Sequence, residues 1–266
     1  MGSSAPPVLD LQGVGKRFSD QTVALDGIDL DVRPGELVSV VGPSGCGKST
    51  LLRIVAGLAT PTSGVVAVRT RRIGFVFQDP MLLPWRGVRA NAELLGELDG
   101  MPRSERRRLA GKAIAVVGLG ELAGRPPQPL AGGTGMRASL TRSLVLRPEL
   151  LLLDEPFGAL DELGRYRHDD ELAQLFLEWR LAGLLATQSV TGAVFLASRV
   201  VVLPALPGRV VGTFEVPFAY PREPRLRLSS AFSRLAGEVS ECLRATATAR
   251  AGAGAPQCGP PPVGRP

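Results

Sequence analysis

Gly42-Pro43-Ser44-Gly45-Cys46-Gly47-Lys48-Ser49-Thr50, preceded by the apolar run Glu36 to Val41 (ELVSVV), decides the fold of this chain. The nine residues fit the pattern G-x-x-x-x-G-K-[ST], and they stand between an expected buried strand and a helix expected from about Lys48 to Leu58. Glycines allow successive backbone N–H groups to curl around phosphate oxygens, and a helix N-terminus directs its positive dipole end at the same point. On that reading Lys48 reaches the β- and γ-phosphates and the Ser49 hydroxyl binds Mg²⁺. Strand, loop and helix together predict a nucleoside-triphosphate site rather than a merely structural turn.

Downstream, Leu150-Leu151-Leu152-Leu153-Asp154-Glu155 reads as a strand covered on both faces that ends in two carboxylates. Such a strand delivers Asp154 to the sheet edge beside the phosphate loop, where it can hold Mg²⁺ through water. Glu155, one residue on, is placed to orient or deprotonate an attacking water. Around these two segments, Val8 to Val32 alternates short apolar stretches with turn residues (Asp20, Asp26-Gly27) and predicts antiparallel strands. Further strands are expected at Ile73 to Phe77, Gly183 to Thr187 and Val200 to Leu203. Helices are expected within 86–122 and from Glu162 to Arg180. The fold class is therefore α/β: a mostly parallel sheet core, an N-terminal antiparallel β-subdomain and a helical insert at about 86–145. From Ala245 onward the Pro-, Gly- and Ala-rich composition predicts a disordered tail, 245–266.

Composition narrows the class of protein. Of 266 residues, 44% are hydrophobic, which excludes a wholly disordered chain. No apolar stretch approaches the roughly 20 residues that cross a bilayer. The start, MGSSAPPVLD, lacks the basic and apolar regions of a secretory signal, so a cytosolic or peripheral protein is expected. Three scattered cysteines (Cys46, Cys242, Cys258) make neither a disulfide framework nor a zinc site. Net charge is +6, with the excess concentrated after residue 203, where 8 basic residues face 4 acidic ones. A solvated arginine-rich surface accounts for it, with a membrane or acidic partner as the rival explanation.

The motifs together resemble the nucleotide-binding subunit of an ABC transporter, over roughly residues 8–244. The resemblance implies further roles. Phe18 matches the aromatic that stacks on adenine, and Gln78 in GFVFQDP matches a glutamine that contacts Mg²⁺ and faces the membrane partner. Asp161, in Ala159-Leu160-Asp161, matches the loop that crosses between two subunits. Leu82-Leu83-Pro84-Trp85 and the segment from Val216 to Val239 look like the importers of nitrate, sulfonates and taurine. The implied assembly is a head-to-tail pair of ATP-binding subunits, a homodimer or two related chains, under a transmembrane permease at the cytoplasmic face of the membrane. An extracytoplasmic solute-binding protein is the indirect partner.

Two positions depart from the family pattern. Where the signature motif usually reads L-S-G-G, this chain has Leu130-Ala131-Gly132-Gly133. Ala131 cannot donate the serine's hydrogen bond to the γ-phosphate, a bond worth about 1.5–3 kcal/mol, while Gly132 and Gly133 keep their amides. Where a histidine usually follows Thr187, Gln188 stands; it can donate or accept a hydrogen bond but carries no imidazolium charge. Loss of an acid–base group costs on the order of 10²–10⁴ in rate, so slow hydrolysis with Glu155 retained is expected. The rival is a regulatory or paralogous subunit that binds ATP without useful turnover. A soluble ATPase acting on nucleic acid is suggested only by the pI of 9.9, and no nucleic-acid partner is expected.

Several residues carry two readings. Cys46 is a small filler in the phosphate loop or, beside a helix N-terminus, a reactive thiol. Trp85 marks a docking groove or packs on the helical subdomain. Arg106-Arg107-Arg108 is a charged helix face or a contact to lipid or permease. His168 is expected as a solvated helical histidine, and Phe176 and Trp179 as core.

Overall fold

Two sheets divide the labour. The computed structural model describes residues 6–126, 133–158 and 160–248. The first sheet is antiparallel, built from β1 (Leu9–Arg17), β2 (Val23–Val32) and a later strand, β4 (Ser63–Val68), in the order β2-β1-β4. Its tip between β1 and β2 is turned by Asp20, whose carboxylate accepts from Thr22 N at 2.9 Å.

The second sheet grows from β3 (Leu37–Val41), which runs through the glycine-rich loop into α1 (Lys48–Val55). β5 (Ile73–Val76) follows, then three helices: α2 (Val88–Leu98), α3 (Arg103–Val116) and α4 (Thr134–Leu144). The chain returns as β6 (Leu150–Asp154), α5 (Glu162–Trp179), β7 (Ala182–Thr187), α6 (Val190–Leu196), β8 (Arg199–Val202), β9 (Gly212–Glu215) and α7 (Ser230–Thr248). Strand order is β5-β6-β7-β3-β8-β9, parallel throughout except that β9 runs against β8.

Every residue of β3 and β6 is buried, as expected of strands with layers on both sides. Their side chains alternate between those layers. Leu150 and Leu152 join a core with Leu9, Leu11, Leu51 and Leu52 from the antiparallel sheet and α1. Leu151 and Leu153 join the other core, with α2 to α7. Truncating any of these leucines to alanine costs about 2–5 kcal/mol.

Register sets the functional edge. Val41 pairs with Thr187 and Asp154 with Ala186, while Val76 pairs with Leu153. Gly42, Glu155, Gln188 and Gln78 therefore leave the sheet at one level, at the carboxyl ends of parallel strands, where open α/β sheets bind ligands. α7 extends to Thr248, so helix continues four residues into the segment expected to be tail; 249–266 lie outside the described residues.

Candidate nucleotide site

The phosphate loop is shaped by close approach. Gly47 caps α1 with φ +104, and a Cβ there would lie 2.6 Å from the Ala24 carbonyl oxygen, so only glycine fits. A Cβ on Gly42 would lie 2.1 Å from the Leu203 carbonyl oxygen. Cys46 fills the space beneath: it is buried, its Sγ 2.6 Å from that same Cβ position, and burial pushes its thiol upward. That is the filler role, and it overturns the reactive-thiol reading.

Lys48 is 5% exposed and donates to the Gly42 and Pro43 carbonyls at 2.8 and 3.0 Å. Its ammonium also lies 3.2 Å from Glu155 Oε1. Ser49 Oγ donates to Asp154 Oδ1 at 2.9 Å. Burial raises the Asp154 carboxyl, the Ser49 bond opposes that, and the neighbouring Glu155 charge adds to it.

Glu155 sits at φ +46, a left-handed conformation that costs a non-glycine residue about 1–3 kcal/mol. The turn is held by Gly158 N donating to the Glu155 carbonyl at 3.1 Å. Gln188 N donates to Glu155 Oε2 at 3.1 Å, so the segment after β7 steers the carboxylate through its backbone. Apart from the Lys48 ion pair, Glu155 Oε1 has no hydrogen-bond partner although it is buried.

One cavity of about 190 Å³ gathers most of the residues named from the sequence, but not Gly42, Pro43, Cys46 or Asp154. Phe18, Ser44, Gly45, Gly47, Lys48, Ser49, Thr50, Gln78, Glu155 and Gln188 all line it. Phe18, at the β1–β2 tip, is 43% exposed, with Lys16 Nζ over its ring 5.6 Å from the centroid. Asp161 and Gly133 do not reach this cavity. The Asp161 carboxylate caps α5 by accepting from Gly164 N at 2.7 Å. Gly133 caps α4 at φ +73, against Leu160 and His168. Ala131 and Gly132 lie outside the described residues.

Donor chemistry fits a triphosphate with its magnesium. Among the described residues no group of three or more His, Cys, Asp or Glu could cage a metal alone. A hydroxyl and one carboxylate meeting at 2.9 Å suit an ion that keeps waters and shares phosphate oxygens, as Mg²⁺ does.

Sequence reasoning missed the residues that seat the loop after Gln78. Arg142, buried on α4, donates to the Met81 and Pro80 carbonyls at 2.8 and 3.0 Å. Asn91 exchanges bonds with Leu83 N and O and donates to the Arg86 carbonyl. A buried Arg or Asn in a helical pattern signals such a task only once its partners are known. The anchored loop presents Trp85 at 77% exposure, which removes the reading in which it packs on the helices. His168 is a correction in the opposite direction. It is buried, stacked on Phe157 with centroids 5.4 Å apart and bonded to Glu171 at 2.9 Å, because that face of α5 packs on the N-terminus of α4. A larger cavity, about 890 Å³, lies at the opposite strand ends beside Pro148, Trp179 and Leu181, away from the phosphate loop.

This fold and edge define a nucleotide-binding cassette of the phosphate-loop class. The family model for ABC transporters matches residues 25–158. An aliphatic sulfonates import ATP-binding protein of Mesorhizobium japonicum is 44% identical over 238 residues, 87% of either chain. Its counterpart in Burkholderia lata is 39% identical over 259 residues, 92% of this chain and 93% of that one. Among solved structures, the dimeric ATP-binding cassette MJ0796 bound to ADP and Pi superposes with a TM-score of 0.69. It is 29% identical and covers 79% of this chain and all of that one. The chain belongs to the ABC transporter family. Membership carries ATP binding and the ATPase class with it. Among the described residues no helix is long and apolar enough to cross a membrane.

Proposed function

We propose that this chain is the ATP-hydrolysing subunit of an importer for a small anion or sulfonate, such as nitrate, an alkanesulfonate or taurine. The carrying observation is the convergence of Phe18, Lys48, Ser49, Gln78, Glu155 and Gln188 on one cavity. The sulfonate-import relatives and the Pro84-Trp85 loop support the cargo class.

Phe18 stacks on the adenine, and the amides of 42–50 with the Lys48 ammonium grip the triphosphate. Lys48 then exchanges the Glu155 carboxylate for phosphate oxygens. Glu155, released, accepts a proton from the attacking water. Ser49 and Asp154, with Gln78, would hold Mg²⁺, which would supply charge neutralisation at the phosphates when bound.

A second ATP-binding subunit closes each site with Ala131, Gly132, Gly133 and Asp161, and closure moves a transmembrane permease seated near Gln78 and Trp85. In that assembly the chain works at the cytoplasmic face of the membrane, with a solute-binding protein on the far side. Ala131 and Gln188 slow the cycle.

The same two substitutions favour a second reading, an ATP-binding regulatory subunit with little turnover. Steady-state ATP hydrolysis separates them. Turnover that is lost in Glu155→Gln and raised in Gln188→His supports the enzyme. Equal rates in wild type and Glu155→Gln support the regulatory subunit.

A further inference from the structure

Behind the catalytic wall lies a second cavity of about 230 Å³. Glu155 and Gln188 line both it and the nucleotide cavity, so they form the partition. Its far side is Asp169 on α5, with Ser189 and Gly192 at the start of α6 and Arg165 beside them. Asp169 is 2% exposed, and its Oδ2 has no hydrogen-bond partner; Arg227 Nη2 stands 3.9 Å away. That oxygen packs beside Gly192. A Cβ there would lie 3.3 Å from Asp169 Oδ2 and 3.1 Å from Ser189 Oγ. The cavity is polar and roomy enough for several waters.

We propose that Asp169 is the proton acceptor behind Glu155, reached through water in this second cavity. The inference rests on the hydrolytic reading above. In the step, the attacking water's oxygen bonds the γ-phosphorus while the bond from that phosphorus to the bridging oxygen breaks, and ADP keeps its electron pair. The water's proton goes to Glu155. A cavity water takes it up and passes one of its own to Asp169 Oδ2, from which it leaves to solvent. Gln188 has no titratable atom and cannot hold that proton, which leaves the role to another group lining the second cavity.

The surroundings suit a group that loads and unloads near neutrality. Burial pushes the Asp169 carboxyl up to about 7, opposed by Arg227, reinforced by Asp170 and opposed again by Arg165. Arg227 faces it from the turn before α7, Asp170 and Arg165 from its own helix, and Glu155 from the loop after β6. α6, Val190–Leu196, brings no titratable side chain.

The test is kcat and KM for ATP across about pH 5.5 to 8.5, on the full chain. Wild-type kcat should rise through about pH 7. Asp169→Asn should flatten that rise and lower kcat at least about tenfold above it, with KM unchanged, and Asp169→Glu should restore the rise. Gly192→Ala keeps the carboxylate but presses a methyl against Asp169 Oδ2 and Ser189 Oγ, and should lower kcat comparably. Wild-type kcat and pH profile in Asp169→Asn, beside turnover that still depends on Glu155, overturns the relay alone. So does a loss in both variants that only tracks the folded fraction by circular dichroism. Wild-type turnover insensitive to Glu155→Gln overturns the hydrolytic reading and the relay together.

Discussion

The gripping side of the site and the switching side are built by different means. Residues 42–50 hold their shape through backbone: two glycines that admit no side chain, and a lysine bonded to its own loop. The switching side, Gln188 after β7, acts through what its side chain can donate or carry. There a substitution changes chemistry and leaves the architecture alone. Gln188 still lines the nucleotide cavity and its amide still binds Glu155 at 3.1 Å, yet it brings no charge. β7 fixes the position, and the glutamine there supplies no titratable group.

The contrast can be broken most sharply at Glu155. Glu155→Gln should lower kcat by on the order of 10²–10⁴ while ATP still binds, as read by hydrolysis beside equilibrium binding. Lys48→Ala attacks the gripping side instead. Loss of charge-assisted bonds worth about 1.5–3 kcal/mol should weaken ATP affinity roughly ten- to a hundredfold in a titration. On the switching side, Gln188→His should raise kcat by on the order of 10² without altering affinity, and a fall in kcat would show that position and chemistry are not separable here.

Behind the partition the effect is one of stability. Asp169 sits near 7 in the folded chain against an ordinary 3.8, so folding holds its proton more tightly than unfolding does. Wild type therefore loses stability from this group as pH climbs from about 4 to about 7, and Asp169→Asn does not. Melting curves at acid and alkaline pH should bring the variant ahead only at the higher pH. Smallest of all, Trp85→Ala should change unfolding free energy by less than about 0.5 kcal/mol, because the ring is 77% exposed, while uncoupling transport from hydrolysis in the assembled importer.

Much of the gripping side was legible because its residues are contiguous: strand, loop and helix follow one another from Leu37 to Val55, and Leu150 to Asp154 announces a strand buried on both faces. The antiparallel pair β1 and β2 was legible for the same reason. β4 was not, since Ser63–Val68 is an edge strand with no fully buried residue and a glycine at its second position, and β9 is only four residues long. α6 hid inside an apolar run that reads equally as strand; its Ser189 cap, accepting from Gly192 N at 3.1 Å, was the available sign. His168, Arg142 and Asp169 were misread or missed because their partners come from other elements, and no local pattern records those.

Calorimetric titration of ATP with magnesium into the full chain tests the central claim most directly. Saturable, magnesium-dependent heat in wild type that collapses in Lys48→Ala is the predicted result. No heat in wild type, or an undiminished signal in Lys48→Ala, would contradict it.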